Sequence, residues 1–182
     1  MKYSIACGGI LNPNYKIKFE RNILLNIYID ADACPVKQEV YRVAARFKLK
    51  TTVVSNTYIR VPDSQLIMSV IVDDSPDAAD DWIVENLVQD DIVITSDIPL
   101  ASRTIKKGAG VINPSGRLFT EDNIGQIVAT RNLMTDLRET GEIMGGPPPF
   151  SKKDRSNFLH KLDELIHAIL RKYPDFSINS SA

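Results

Sequence analysis

Two carboxylates lie one residue apart in the stretch NIYIDADACPV, at residues 26–36. Asp30 and Asp32 follow an alternating apolar run that predicts a buried strand, and Pro35 is well placed to open a helix. Like charges at this spacing repel each other unless a positive charge lies between them. The pair therefore indicates either a solvated turn with a helix cap or part of a cation site.

Further aspartates follow two later apolar runs. Asp73 and Asp74 come after LIMSVIV, at 66–72, and Asp97 comes after DIVIT, at 91–95. In an open parallel sheet, ligands bind outside the carboxyl ends of the strands, which share one edge. We therefore expect the acidic residues that end these strands to gather at a single edge of the sheet.

This acidic edge has the ligand chemistry of a hard divalent cation. Mg²⁺ and Mn²⁺ prefer oxygen ligands, commonly one or two carboxylates together with water and phosphate. Asp30, Asp80 and Asp97 are the predicted metal ligands, and Asp32 would position water or metal. Such a pocket would polarise a phosphodiester, activate water and neutralise the leaving oxygen. The alternative for each residue is a turn or a helix N-cap, where Asp is common.

The elements that would position these carboxylates alternate along the chain from residue 22. Strands that alternate with helices favour a central, mostly parallel sheet of about five strands, covered by helices on both faces. The sequence therefore predicts one three-layer α/β domain over residues 22–174, with a peripheral extension at 1–21 and a frayed tail at 175–182. The predicted strands lie at 23–29, 51–55, 66–72, 91–95 and 109–113, and the predicted helices at 35–47, 75–88, 96–108, 120–140 and 151–173.

The composition of the 182-residue chain agrees with one globular domain. No apolar run approaches the roughly 20 residues of a membrane helix, so no membrane partner is expected. The net charge of −1 gives no global attraction to nucleic acid, and any such partner needs a local basic patch. Only two cysteines are present, which make no disulfide framework. These features predict a cytoplasmic protein.

A basic patch of this kind is present at the start of the final helix. Lys152, Lys153 and Arg155 lie in its first turn, after a loop rich in Gly and Pro. Cations are unfavourable there because the helix macrodipole already presents positive charge, so this end should attract an anion such as phosphate. The alternative is a solvated helix start that Ser151 and Asp154 cap.

Two other chemistries fit the residues less well. DADACPV imitates the nucleophile motif of haloacid dehalogenase phosphatases, but the paired acids at 73–74 precede the Thr/Ser strand, whereas that family needs them last. Cys34 could be a thiol nucleophile near a helix N-terminus. Both histidines lie in the last helix, however, so a Cys–His pair has no support, and we interpret Cys34 as a small buried residue.

Five ordered blocks resemble a known family. The blocks are DADACPV, SPDAADDWI, DIVITSDIPLA, NPSGRLFT and GGPPPFSKKDRSNF, and together they resemble the bacterial YaiI/YqxD family from about residue 23 to 173. That family in turn looks related to the PIN-domain superfamily, whose members include Mg²⁺-dependent ribonucleases. The resemblance implies a PIN-like fold for this chain.

The PIN-like resemblance also implies roles for individual residues. Asp30 matches the first acid of the superfamily, Asp80 (alternatively Asp77) an intermediate acid, and Asp97 the later acid of its Thr-x-Asp motif. Glu39 is a candidate for the acid that nucleases carry on a helix. These matches predict an Mg²⁺- or Mn²⁺-dependent hydrolase that cleaves RNA. The alternative is a non-catalytic module that binds RNA or protein and retains the fold.

Overall fold

The computed structural model describes residues 4–5, 25–31, 34–140 and 149–173, and these residues form one α/β domain. The described chain contains seven strands and five helices. In chain order they are β1 (Ser4–Ile5), β2 (Asn26–Asp30), α1 (Lys37–Phe47), β3 (Lys50–Ser55), β4 (Ile67–Ile71), α2 (Ala78–Asn86), β5 (Ile92–Ile94), α3 (Ile98–Ile105), β6 (Gly110–Ile112), β7 (Leu118–Phe119), α4 (Glu121–Glu139) and α5 (Lys152–Leu170).

All seven strands belong to one sheet, in the order β1-β4-β3-β2-β5-β6-β7. The five central strands, from β4 to β6, are parallel. The two-residue strands β1 and β7 pair antiparallel at the two ends of the sheet. The predicted mostly parallel sheet of about five strands is thus confirmed, with a short antiparallel strand added at each edge.

Helices cover both faces of the sheet, because consecutive side chains of each strand point to opposite faces. Ile27 and Ile29 of β2 belong to a core formed with α1 and α5, and Tyr28 belongs to a second core formed with α2, α3 and α4. The predicted three-layer architecture is therefore confirmed. No helix in the described ranges has the length and apolar character needed to cross a membrane.

The sequence patterns predicted the inner elements well and the edges less well. The helix predicted from Pro35 begins at Lys37, and the helix predicted from residue 75 begins at Ala78. The segment PSGRLF, interpreted as a turn, contains the turn and also the edge strand β7. Strand β1 lies inside the predicted extension 1–21, whose peripheral character stays a prediction, as does the frayed tail, which lies outside the described residues.

Helix α5 is attached to the sheet near both of its ends. At its start, Ser151 and Asp154 form the predicted capping box, and Asn157 Nδ2 donates to the carbonyl oxygen of Ser115 at 2.7 Å. Just beyond its end, Lys172 and the Tyr173 hydroxyl both donate to the buried carboxylate of Asp90. The first contact lies beyond the carboxyl end of β6, and the second lies before the amino end of β5.

Candidate acidic site at the sheet edge

The sheet changes winding direction between β2 and β5. The chain proceeds from β2 to β3 and β4 on one side, whereas β5 and β6 lie on the other side of β2. Open α/β sheets bind ligands in the crevice outside the carboxyl ends of the strands at such a switch point. Asp30 is the last residue of β2, and Asp97 follows β5 by three residues. The two predicted carboxylates therefore flank the place where this fold class binds ligands.

A pocket of about 590 Å³ opens at this switch point. Its remaining lining is mostly small or polar, and it includes Asn56 and Ser96. Its acidic lining brings together three of the predicted site residues with three neighbouring aspartates, namely Asp30, Asp73, Asp74, Asp77, Asp80 and Asp97. The structure therefore gathers the predicted acids that it describes, while Asp32 lies outside the described residues.

The buried hydroxyl of Thr95 links the two strand ends. Its Oγ1 donates to Asp30 Oδ2 at 2.7 Å and accepts from the backbone N–H of Asp97 at 2.9 Å. The sequence placed Thr95 at the end of a predicted strand and in the Thr-x-Asp motif, but it did not predict these hydrogen bonds. The hydrogen bonds fix the position of the Asp30 carboxylate relative to the start of α3.

Asp97 has both roles that the sequence left open. It is the N-cap of α3, and its Oδ1 accepts from the backbone N–H of Leu100 at 2.8 Å. It is also half-buried and lines the pocket. Capping uses one carboxylate oxygen, so the capping role does not exclude a ligand at the other oxygen.

Asp80 lies in the first turn of α2, after Asp77, which has a left-handed backbone (φ 60°) and makes no side-chain cap. The pKa of Asp80 is raised to about 6, first by burial and then by the negative charges of Asp97, Asp30 and Asp77. The positive charge of Arg103 acts in the opposite direction. Asp80 is therefore close enough to Asp30 and Asp97 for their negative charges to act on it.

The raised pKa of Asp80 makes the stability of the protein depend on pH. The folded pKa exceeds the unfolded value, so the folded state binds more protons between the two values and stability falls as pH rises from about 4 to about 7. We expect Asp80→Asn to remove this loss. Because Asp80 is only half-buried and solvent screens the repulsion, the gain near neutral pH should be about 1 kcal/mol.

Urea unfolding in the presence of a chelator, at pH values of about 4 and about 7.5, measures this effect. Glu85→Gln is the matched control, because Glu85 is an exposed acid of the same helix and does not line the pocket. The gain should appear at the higher pH only, and for Asp80→Asn only. An equal gain in the control, or a gain independent of pH, would contradict the raised pKa.

The donors of the pocket suit a hard cation that keeps part of its water shell. No group of three or more His, Cys, Asp or Glu side chains in the described ranges is placed to hold a metal ion on its own. Mg²⁺, however, is usually held by one or two carboxylates, water and substrate phosphates. Asp30 and Asp97 could supply such carboxylate oxygens, and metal binding by them and by Asp80 stays a prediction.

The three basic residues of the predicted phosphate site differ in their surroundings. Lys152 and Lys153 are exposed in the first turn of α5. Arg155 donates from NH1 to Glu39 Oε1 at 2.9 Å, which ties α5 to α1. Phosphate binding by these residues stays a prediction, and Arg155 would contribute the nitrogens that do not bond to Glu39.

Glu39 is a residue whose surroundings sequence reasoning missed. Its side chain is only 1% exposed, and its Oε1 accepts from both Arg42 and Arg155. A signal was present in the sequence, because Glu39 lies three residues after Val36 and four before Val43, on the apolar face of α1. A carboxylate at such a position is buried and needs a cationic partner.

Cys34 has the character of a structural residue. Burial raises the pKa of its thiol to about 11, although the backbone at Val36 and the charge of Lys37 act against this increase. A thiol with a raised pKa is a poor nucleophile at neutral pH. The interpretation of Cys34 as a small buried residue agrees with its place in the core beside α1.

The fold and the site together define a class: a three-layer α/β protein with an acidic pocket at the switch point of a parallel sheet. The model of the family described as "Uncharacterized BCR, YaiI/YqxD family" matches residues 28–168, more than half of the chain. The chain therefore belongs to the YaiI/YqxD family, as the five sequence blocks predicted.

Curated relatives carry the name UPF0178 protein. One from Rhodopseudomonas palustris (strain TIE-1) is 58% identical over 149 residues, which cover 82% of this chain and 94% of the relative. One from Bradyrhizobium sp. (strain ORS 278) is 55% identical over 148 residues, which cover 81% of this chain and 90% of the relative. One from Paramagnetospirillum magneticum (strain ATCC 700264 / AMB-1) is 51% identical, and all of it is covered by 83% of this chain.

No solved structure matches the chain. The PIN-like character of the fold therefore stays a prediction from the sequence resemblance.

Proposed function

We propose that this protein hydrolyses phosphodiester bonds with the help of Mg²⁺ or Mn²⁺, and that its substrate is RNA. The observation that carries the proposal is the pair of carboxylates, Asp30 and Asp97, that line one pocket at the switch point of the sheet. Thr95 Oγ1 bonds to the carboxylate of Asp30 and to the backbone N–H of Asp97. Asp80 faces the same pocket from α2. Carboxylates that repel one another in a partly buried pocket favour a cation between them.

Each carboxylate has a role that follows from its surroundings. Asp30 and Asp97 would hold the metal ion, which supplies polarisation of the scissile phosphate and a water molecule of lowered pKa. Asp80 would bind the same metal ion directly or through water, because it lines the same pocket as the other two acids. Asp32 would position this water or the metal.

The basic turn of α5 would bind the substrate rather than take part in the chemistry. Lys152, Lys153 and Arg155 lie at the same edge of the sheet as the pocket, because α5 starts beside the turn that follows β6. Phosphate groups flanking the scissile bond would reach them from the acidic pocket. In this arrangement the acidic residues would hold the metal ion, and the basic residues would bind the RNA strand.

Metal titration of the full chain tests the proposal. A ligand that binds only the folded state stabilises it, and a cation at about 100 times its Kd adds about 2.7 kcal/mol. For a domain of this size that corresponds to a Tm increase of roughly 5–10 °C. We expect this increase with Mg²⁺ or Mn²⁺, reversed by chelation, together with metal-dependent cleavage of a labelled RNA.

The outcome also separates the proposal from its alternative. A protein that binds RNA but shows neither a Tm increase with the metals nor cleavage would be the non-catalytic module. Two contacts support the non-catalytic alternative, because they give these residues structural roles. Asp97 caps a helix, and Arg155 pairs with Glu39.

A further inference from the structure

Two arginines from different helices share one buried oxygen. Arg42 NH2 of α1 lies 3.0 Å from Glu39 Oε1, and Arg155 NH1 of α5 lies 2.9 Å from the same atom. The shared acceptor draws the two guanidinium groups side by side, although they repel each other. The resulting group has two positive charges and one negative charge.

This arrangement is costly for the fold in one respect. Glu39 Oε2 is buried and has no hydrogen-bond partner among the described residues. An unsatisfied buried carboxylate oxygen normally calls for an explanation beyond stability. Holding the two arginines is such an explanation, because the other oxygen of the same buried carboxylate accepts from both of them.

The arginines keep most of their binding capacity. The Arg42 side chain is 69% exposed and the Arg155 side chain is 47% exposed. A guanidinium group has five N–H donors in a fixed plane, and the bond to Glu39 uses part of this set. Guanidinium donors that are not bonded to Glu39 remain available to the oxygens of a phosphate group.

An aromatic ring lies next to this pair. The Phe150 ring is 5.7 Å from the guanidinium carbon of Arg155, and Phe150 is 37% exposed. An exposed ring beside a cation that binds phosphate is the usual combination in proteins that bind single-stranded nucleic acid, where a base stacks on the ring. A base paired inside a duplex is already stacked between its neighbours and is not free to do so.

The pair lies at the same edge of the sheet as the acidic pocket. Glu39 is in the first turn of α1, which leaves the edge just after Asp30, and Arg155 is in the first turn of α5. The charges of Asp30 and Glu39 both reach the thiol of Cys34 and raise its pKa. A single polynucleotide strand could therefore extend along this edge from the acidic pocket to the two arginines.

We infer that Arg42, Arg155 and Phe150 form a binding site for a single-stranded polynucleotide, with the arginines on a phosphate and the ring under a base. This inference rests on the proposed function, because it extends the same edge of the protein to a longer substrate. It adds Arg42 and Phe150 to the predicted binding residues and gives Glu39 the role of a positioning residue.

Fluorescence anisotropy with a labelled oligouridylate of about 12 nucleotides tests the site on the full chain. The measurements are made in a chelator, so that binding is separated from cleavage. Arg42→Gln is the main variant, because Arg42 is the more exposed arginine and Arg155 still pairs with Glu39. Arg171→Gln is the matched control, since it makes the same charge change at the far, exposed end of α5.

We expect Arg42→Gln and Phe150→Leu each to weaken binding about five- to tenfold or more, and Arg171→Gln to leave it unchanged. The salt dependence distinguishes the two roles. Arg42→Gln should reduce the slope of log K against log salt by about 0.7, whereas Phe150→Leu should leave the slope unchanged. The same strand in a duplex should bind more weakly, and Phe150→Leu should not affect that binding.

Other results of these measurements would contradict either the binding site or the proposed hydrolysis. Binding by both variants at the level of the wild type would overturn the inference even if the protein cleaves RNA with Mg²⁺. Equal dependence on Phe150 for the duplex, or no binding of oligouridylate by the wild type, would also overturn it. Binding with the expected dependences in chelator, combined with no cleavage of the same oligouridylate when Mg²⁺ or Mn²⁺ is added, would support the site and refute the proposed hydrolysis instead.

Discussion

Asp97→Asn is expected to abolish the response to Mg²⁺ and Mn²⁺ and to reduce RNA cleavage at least about 100-fold, while leaving the fold intact. The side-chain oxygen of Asn can accept from the N–H of Leu100 as Asp97 Oδ1 does, and Asn is as good an N-cap as Asp. The change therefore removes the charge and keeps the cap. It also removes a charge that raises the pKa of Asp80, so the metal-free variant should be at least as stable as the wild type.

Two further variants separate the possible roles of this residue. Asp97→Ala loses the cap as well as the charge and should cost about 1 kcal/mol relative to Asp97→Asn. Asp63→Asn, at an exposed position outside the pocket, should change neither Tm nor cleavage. Thermal unfolding with and without metal, together with a cleavage assay, gives all these values. If Asp97→Asn and Asp30→Asn are both less stable than the wild type and no protein responds to metal, these carboxylates are structural only.

Gly116→Ala should be among the most destabilising single changes in the chain. Gly116 has a φ of +85°, which costs other residues about 1–2 kcal/mol. A Cβ there would also lie 2.6 Å from Asn157 Nδ2 and 2.8 Å from the backbone nitrogen of Phe158. Since the Phe158 side chain is fully buried, moving the start of α5 away would disturb the packing of the core. We expect a loss of about 3–4 kcal/mol and a Tm lower by roughly 10 °C.

Two other glycines provide controls for this change. Gly108 has a similar φ of +80°, but the three atoms nearest to a Cβ there all belong to the flexible side chain of Gln89, so Gly108→Ala should cost less. Gly125 lies within α4 with nothing within 4 Å, and Gly125→Ala should stabilise the helix by about 0.5–1 kcal/mol. An unchanged Tm for Gly116→Ala would show that α5 does not depend on this turn for its position.

The acidic site could be predicted from the sequence because its residues follow directly from local patterns. Asp30 ends an apolar run, and Asp97 follows another, so a parallel sheet is enough to bring them to one edge. The order of the strands is what puts them next to each other, and no local pattern contains that order. The switch point between β2 and β5 therefore became visible only in the fold.

The parts that the sequence did not predict depend on contacts between distant residues or on very short elements. Arg155 and Glu39 are 116 residues apart in the sequence. The pattern of α5 alone therefore predicted an exposed basic turn and not the pairing of Arg155 with Glu39. Strands β1 and β7 have two residues each, which is too short for an alternating pattern. In the sequence, Thr95 has the pattern of an ordinary strand residue. Its hydrogen bond to Asp30 depends on the position of β2 beside β5.

The attachment of α5 near both of its ends also determines where a tether can be placed on this protein. Asp90 lies just before β5, so Lys172 and Tyr173 hold the end of the described chain at the amino edge of the sheet. The acidic pocket and the basic turn lie at the opposite edge. A surface linkage or a fused reporter joined after Tyr173 would therefore begin on the side away from the pocket and leave the approach of a long substrate open.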